Sequence, residues 1–444
     1  MKIRFIGLLL LISTSLMPLY WYWPLLANYS NSAILSQYIG SLALILMAFS
    51  QLFATRMPGL ETLFGGLDRI YVIHKWIGII ATAAILMHDT VDAEIDELGP
   101  ETWLVDLAET LGEFSLYAVL ILVVISLATV IPYPLWRFSH KFMGALFALS
   151  SFHYVFMLKP FALLDPLGLY ISVFCVLGLI CYLITLLPFR LLAGRYNYRV
   201  CAIDNSAGAT CMSLQPTAKG LRHKAGQFCF IAVQRPGMTE SHPFSISCAP
   251  VDSRELRFTI KALGDYSAKL AGRVQVGDKV QVSRAYGHFQ ARANDDPQIW
   301  IACGIGITPF IAWLEQGTNA QVVFYYSYKG HQQAPHLLQL QQLCDSRDNI
   351  KLVLVDTSVR DRLSSVEIAE QASTMLASSR VYYCGPKKMR ESLQQDLNRE
   401  GLRYSRFHFE EFELRSSVDL RPVLALAAKL FSVFSQQLKQ RRGK

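Results

Sequence analysis

Charge is scarce in this chain. Asp, Glu, Lys and Arg make up 17% of its 444 residues, while 52% are hydrophobic and the mean hydropathy is +0.28. An ordinary soluble domain carries roughly 25% charge. The deficit excludes a wholly soluble protein and puts part of the chain in lipid. The nine cysteines form no Cys-x-x-Cys pair and show no zinc spacing, so neither a disulfide framework nor a cysteine metal site follows. The net charge of +8 comes largely from basic loops and a basic tail, Lys439, Arg441, Arg442 and Lys444. It gives no reason to expect a nucleic-acid partner.

Long apolar runs are what the chain has instead, nearly all of them before Phe189. About 20 mostly apolar residues cross about 30 Å of hydrocarbon. Six segments qualify: Ile3–Trp23, Ala33–Ala54, Ile70–His88, Leu111–Ile131, His140–Leu158 and Leu167–Leu187. The first could be a signal peptide, since Lys2 and Arg4 precede it. Tyr20-Trp21-Tyr22-Trp23-Pro24, however, reads as an interfacial aromatic belt and not a small-residue cleavage site. Lys2, Arg4, Arg56, Arg69, Arg137, Arg190 and Arg195 flank alternate ends, whereas Asp89–Glu109 contains neither Lys nor Arg. By the positive-inside rule that acidic loop is expected outside and both termini in the cytoplasm. The expected location is an integral six-span protein of a bacterial inner membrane or an equivalent plasma membrane, embedded in the lipid bilayer.

Spans three and five each carry two histidines: His74 and His88, 14 apart, and His140 and His153, 13 apart. Imidazole in lipid is costly unless something binds it. At 1.5 Å per residue each pair spans about 20 Å, one histidine near each membrane face. Parallel spans facing each other would pair His74 with His140 and His88 with His153, which fits bis-histidine ligation of two b-type haems. A carboxylate metal site fits less well, because Asp89 stands at a span end. One feature resists: thirteen residues leave His140 and His153 about 140° apart on an ideal helix. Local winding, or haems approached from different sides, is then required. Satisfied core or interfacial histidines are the alternative. Phe147, midway between His140 and His153, is read as a core or lipid-facing residue before a bridge between haems.

After Tyr196 short alternating segments appear, among them Phe228–Val233, Leu256–Ile260 and Lys279–Val282, which predict a small antiparallel β-barrel. It contains His242-Pro243-Phe244-Ser245 and Gly264-Asp265-Tyr266-Ser267. After Asp296 strands alternate with helical patterns, predicting a parallel α/β domain. Its first turn, Gly304-Ile305-Gly306-Ile307-Thr308-Pro309, lets backbone N–H groups approach a pyrophosphate at a helix N-terminus. Pro309 stands where a third glycine would complete the dinucleotide fingerprint. The expected organisation is multidomain: an all-α six-helix transmembrane haem domain over 1–190, an FAD-binding barrel over 195–293, a NAD(P)-binding domain over 296–414, and an extension over 415–444. The extension is read as a membrane-surface helix ahead of a packed terminal one.

The paired histidines, His-Pro-Phe-Ser, Gly-x-Gly-x-Thr-Pro and Cys384-Gly385-Pro386 occur in an order that resembles the NADPH oxidase and ferric reductase family. In that family a ferric-reductase-type transmembrane domain joins a ferredoxin-NADP reductase-like module. The resemblance implies that His242, Pro243, Phe244 and Ser245 hold the FAD isoalloxazine and ribityl region, and that Gly264, Tyr266 and Ser267 lie near its pyrophosphate. It implies that Gly304, Gly306, Thr308 and Pro309 form the nucleotide loop, that Cys384 positions the nicotinamide, and that Phe412 covers the flavin. Ser327 and Lys329, after the strand Gln321–Tyr326, stand where a 2′-phosphate would bind. With no carboxylate in that turn, NADPH is expected, with NADH as a second donor.

The resulting expectation is electron transfer from cytosolic NAD(P)H through FAD and two haems to an outer acceptor, either dioxygen or a ferric chelate. Two rivals stand beside it. One is an electron-transfer subunit that reduces a partner protein outside, docked on the acidic loop. The other is a haem-free flavin reductase merely anchored in the membrane.

Overall fold

The computed structural model describes residues 5–57, 59–91, 95, 98–100, 102–128, 131–187, 196–291, 296–372 and 375–410. The first half is helical: α1 (Phe5–Leu16), α2 (Pro18–Tyr22), α3 (Asn31–Ala54), α4 (Leu60–Phe64), α5 (Leu67–Thr90), α6 (Trp103–Leu127), α7 (Tyr133–His140), α8 (Met143–Phe156) and α9 (Pro166–Leu186). Among the described residues five helical stretches are long and apolar enough to cross a membrane: Phe5–Ala27, Asn31–Ala54, Leu67–Thr90, Trp103–Leu127 and Pro166–Leu186. The first is broken, because Pro18 and Pro24 remove backbone donors and start new turns. α3 is central and packs against both α5 and α9, with Ile45, Ala48 and Phe53 fully enclosed. α6 packs on α8.

The expected span His140–Leu158 is divided. α7 ends at His140 and α8 begins at Met143, joined by short-range bonds from Lys141 N to Phe138 O (3.3 Å) and Phe142 N to Ser139 O (3.0 Å). These i to i−3 bonds mark a tightened, 3₁₀-like turn. The 140° misfit therefore does not arise, since it assumed one regular helix carrying both histidines.

The second half begins with an antiparallel sheet. Its strands are β1 (Tyr196–Ser206), β2 (Ala209–Pro216), β3 (Phe228–Val233), β4 (His242–Ser245), β5 (Leu256–Lys261) and, after helix α10 (Asp265–Arg273), β6 (Lys279–Tyr286). Their order is β4-β3-β6-β1-β2-β5. Alternate residues point inward, so Tyr198, Val200, Met212, Leu214, Phe258 and Ile260 form one core.

A parallel sheet follows, built from β7 (Gln298–Cys303), α11 (Thr308–Gln316), β8 (Val322–Tyr328), α12 (Leu337–Asp345), β9 (Ile350–Asp356), α13 (Ser365–Ala372), β10 (Arg380–Cys384), α14 (Lys387–Arg399) and β11 (Phe407–Phe409). The order β11-β10-β7-β8-β9 places the switch point between β7 and β10. Crevices at the carboxyl ends of such strands are where α/β sheets bind ligands.

The halves touch directly. Phe228, Phe230 and Tyr286 from the antiparallel sheet join the apolar core that holds Phe53, Phe64 and Leu67 of the helical half. Arg284 Nη2 donates to Arg56 O (2.5 Å), Gly287 N donates to Glu61 Oε1 (3.3 Å), and the Arg56 guanidinium lies 4.5 Å over the Phe230 ring.

Candidate functional site

The four histidines gather as two pairs. His74 faces His140 with ring centroids 6.1 Å apart, and His88 faces His153 at 6.4 Å. Two imidazoles sharing one ion at about 2.0 Å each, with ring centres about 1.1 Å behind the bonding nitrogens, stand about 6.2 Å apart. Both pairs match that spacing. Among the described residues no three His, Cys, Asp or Glu side chains gather as a metal site.

Each imidazole is held from behind through Nδ1. His88 meets Ser36 O (3.0 Å) and Ser36 Oγ (2.8 Å), and His74 meets Ser50 O (3.2 Å) and Ser50 Oγ (3.0 Å). His153 meets Ala108 O at 2.9 Å and His140 meets Ser126 Oγ at 3.0 Å. A carbonyl only accepts, so at His74, His88 and His153 Nδ1 carries the hydrogen and Nε2 keeps the lone pair that a metal would take. The neighbouring helices leave room for the rings: a Cβ at Gly112 would sit 2.4 Å from His153 Nδ1, and one at Gly40 would sit 3.1–3.2 Å from the His88 ring. Sequence reasoning missed these partners, although one signal existed. Ser36 and Ser50 are separated by 50 − 36 = 14 residues, as His74 and His88 are by 88 − 74 = 14, which is the register of two antiparallel helices. Phe147, between the levels along the chain, is fully buried in the helical core.

In the second half the two expected FAD motifs meet. The His242 ring stacks on Tyr266 at 3.7 Å and 22°, Phe244 lies 6.5 Å from Tyr266, and Tyr266 Oη donates to Met238 O (3.2 Å). Burial pushes the Tyr266 phenol up to about 12 and lowers His242, so both are neutral near pH 7. Gly264 precedes α10, where Ser267 Oγ accepts from Leu263 N and Gly264 N at 3.0 Å each. Pro243 and Ser245 pair across to Phe230 and Phe228 of β3.

At the switch point, Gly304 adopts φ +55°, and a Cβ at Gly306 would lie 2.2 Å from Cys384 O, so only glycine lets the two loops touch. Thr308 and Pro309 open α11. Cys384 is enclosed, and burial raises its thiol well above the usual range, which suits packing and not nucleophilic attack. Ser327 is not in a turn: it is the buried sixth residue of β8, paired with Cys303 and Val355. Lys329 is exposed just beyond the strand. The carboxylate missing from that turn comes from β9, where Asp356 Oδ1 accepts from Gly330 N (2.8 Å). Phe412 and residues 415–444 lie outside the described residues. Their neighbour Glu410 is described and was not singled out from sequence. It is 8% exposed, Oε2 lacks a hydrogen-bond partner among the described residues, and burial raises its carboxyl well above the usual value.

Residues 39–151 match the family model described as a ferric reductase like transmembrane component, and residues 205–306 match that of an FAD-binding domain. The chain has the ferric reductase and NADPH oxidase type of architecture. A membrane-type helical region precedes an FAD-binding β-sheet domain and a nucleotide-binding domain. His74, His88 and His140 lie within the first match, and the His242 and Gly264 motifs within the second. Among curated relatives, the reductase component of propane 2-monooxygenase from Mycolicibacterium goodii is 28% identical over 199 residues, 40% of this chain and 56% of that protein. The beta subunit of a heme-dependent oxidative N-demethylase from Ectopseudomonas mendocina is 26% identical over 174 residues, 38% of this chain and 54% of that protein. The chain spans about half the length of the curated relatives it matches. The FAD/NAD-binding domain of nitric oxide dioxygenase from Vibrio cholerae O1 biovar El Tor superposes with a TM-score of 0.43 at 24% identity, covering 48% of this chain and 97% of that one.

Proposed function

We propose that this chain carries electrons from cytosolic NAD(P)H, through FAD and two b-type haems, to an acceptor on the outer face, dioxygen or a ferric chelate. The observation that carries the reading is the pair of histidine levels, each at the spacing of two imidazoles on one ion and each fixed through Nδ1. His74 with His140 would hold the haem nearer the cytoplasm and His88 with His153 the outer one; the haems supply one-electron steps, and FAD divides the hydride pair. His242, Phe244 and Tyr266 form the aromatic surface for the flavin, Gly304 and Gly306 take the nucleotide pyrophosphate, and Cys384 shapes the nicotinamide pocket. Lys329 is the cation available to a 2′-phosphate.

The reading includes six spans, with α7 and α8 together forming the fifth, and a closed barrel. The isolated bridge from Ile246, one residue past β4, to Phe258 in β5 supports closure between the sheet's edge strands. Both termini would be cytoplasmic. An inside-negative potential then assists each outward electron by about 2.3 kcal/mol per 100 mV.

Two measurements test this. The purified chain should show a low-spin bis-histidine spectrum with two haems per FAD, which an anchored flavin reductase lacks. Right-side-out vesicles loaded with NADPH should reduce an impermeant external ferric chelate, or release superoxide, without any added protein. Reduction of internal acceptors alone, with both haems bound, would sink the outward direction.

A further inference from the structure

The four Nδ1 partners are not equivalent. His74, His88 and His153 each reach a main-chain carbonyl, whereas the partner of His140 is the Ser126 hydroxyl at 3.0 Å. Ser126 Oγ also lies 2.7 Å from Leu122 O, one helical turn back on α6. A hydroxyl has one proton. Leu122 O can only accept, so that proton is committed to it, and the remaining lone pair faces His140 Nδ1–H. The same tautomer is thus imposed on all four imidazoles, but at His140 by a side chain that a single substitution removes. The Trp136 ring lies against His140 at a tilt, 5.4 Å between centroids and 30° between planes. That contact restrains the ring's tilt and offers Nδ1 no acceptor.

We propose that Ser126 is a positioning residue for His140 that sets the reduction potential of the His74–His140 haem independently of the other level; this rests on the two-haem reading. A hydrogen bond from Nδ1–H to an acceptor makes the imidazole a more basic ligand and favours the ferric state. Removing the acceptor favours the ferrous state. The other three ligands cannot be altered this way, because their carbonyl partners belong to the backbone. Even Ser50→Ala leaves His74 its bond to Ser50 O.

The test is a spectroscopic redox titration of the purified full-length chain, with low-spin electron paramagnetic resonance of the oxidised protein. The His74–His140 component is assigned in a His153→Ala background. In Ser126→Ala that component should titrate at higher potential, its oxidised-to-reduced equilibrium shifted about fivefold, the equivalent of one ordinary hydrogen bond. Its low-spin signal should move as the ring gains freedom, and the His88–His153 component should stay in place. Ser126→Thr keeps the hydroxyl and its bond to the i−4 carbonyl, so it should restore the wild-type titration. Should the alanine variant not accumulate, Ser126→Cys, close in size but a weak acceptor, should show the same upward shift. Two bound haems with superposable titrations in wild type and Ser126→Ala, or an equal shift in Ser126→Thr, overturn the role of Ser126 and leave the haem reading intact. Absence of haem from the wild-type chain overturns both.

Discussion

A methyl group at Gly112 is the sharpest single perturbation of the His88–His153 level. A Cβ there would lie 2.4 Å from His153 Nδ1, 2.9 Å from Cε1 and 3.0 Å from Cγ, where ordinary contact begins at 3.4 Å. The ring must retreat by 3.4 − 2.4, about 1 Å, and it cannot do so freely. Its Nδ1 is tied to Ala108 O at 2.9 Å, and its face must stay 6.4 Å from His88. Overpacking costs about 1–3 kcal/mol, and a stranded buried donor about 1–3 kcal/mol more. Alanine returns only about 0.5–1 kcal/mol through its better helix propensity. A net loss of about 1–5 kcal/mol is roughly one to four powers of ten in occupancy. Haem-to-flavin ratios and reduced-minus-oxidised spectra of Gly112→Ala should therefore show one level depleted and the His74–His140 level intact. Gly40→Ala, with ring atoms at 3.1–3.2 Å, should be milder, and Gly78→Ala, with nothing within 4 Å, should be neutral or slightly stabilising. Two full low-spin haems in Gly112→Ala would refute the placement of His153 as a ligand.

Three other outcomes are expected. His74→Ala or His140→Ala should lose one haem and stop outward transfer while flavin content is unchanged, and His88→Ala or His153→Ala should leave the first level reducible by NADPH, both read by anaerobic absorption spectra. Lys329→Ala should raise the KM for NADPH about tenfold, the worth of one charge-assisted hydrogen bond, with NADH unaffected, and Asp356→Asn should move selectivity toward NADPH; steady-state kinetics with both nucleotides decides. Burial raises Glu61 and Glu410 from 4.5, so the folded junction holds their protons more tightly than the unfolded chain. Their contribution is fully present below the unfolded value and is lost as pH rises through the raised one. The thermal midpoint should fall as pH rises above the unfolded carboxyl value of 4.5, and Glu410→Gln should flatten that slope.

The sequence was legible wherever one periodicity dominated. Phe228–Val233 and the strand ending at Cys384 alternate or run apolar within turn-bounded segments, and β3 and β10 formed there. The histidine pairing was legible because parallel helices bring the nearly equal spacings of 14 and 13 residues to nearly equal heights. Other features depended on tertiary context. The break after His140 has no proline or glycine at Lys141 or Phe142 to announce it. Ser327 looked like a turn residue because β8 runs two residues further than its apolar pattern, through Tyr328. Asp356 lies 26 residues from Gly330, and only the parallel pairing of β8 with β9 brings its carboxylate to that turn. Glu410 gave no sign of burial, since it stands next to a second acid in Phe409-Glu410-Glu411-Phe412 and acidic side chains are ordinarily solvated.

The two halves are joined by contacts of very different strength, and the weaker one is made from α7. Trp136 rests on His140, and the next residue, Arg137, approaches Glu240 at 3.8 Å. Glu240 in turn meets His242 Nε2 at 3.3 Å, and His242 stacks on Tyr266. The Arg137 and Glu240 side chains are 41% and 44% exposed, so water screens the pair and it contributes only about 0.2–1 kcal/mol. It can set the angle of approach between the flavin motif and α7, but it cannot hold the halves together. Cohesion comes from Phe228, Phe230 and Tyr286, at most 6% exposed and continuous with the helical core. Burying one such ring is worth about 1.5–3 kcal/mol. The division suits a junction that must keep a fixed distance between its two halves. Apolar area, which resists water, supplies the binding, and the exposed ion pair adds little to it.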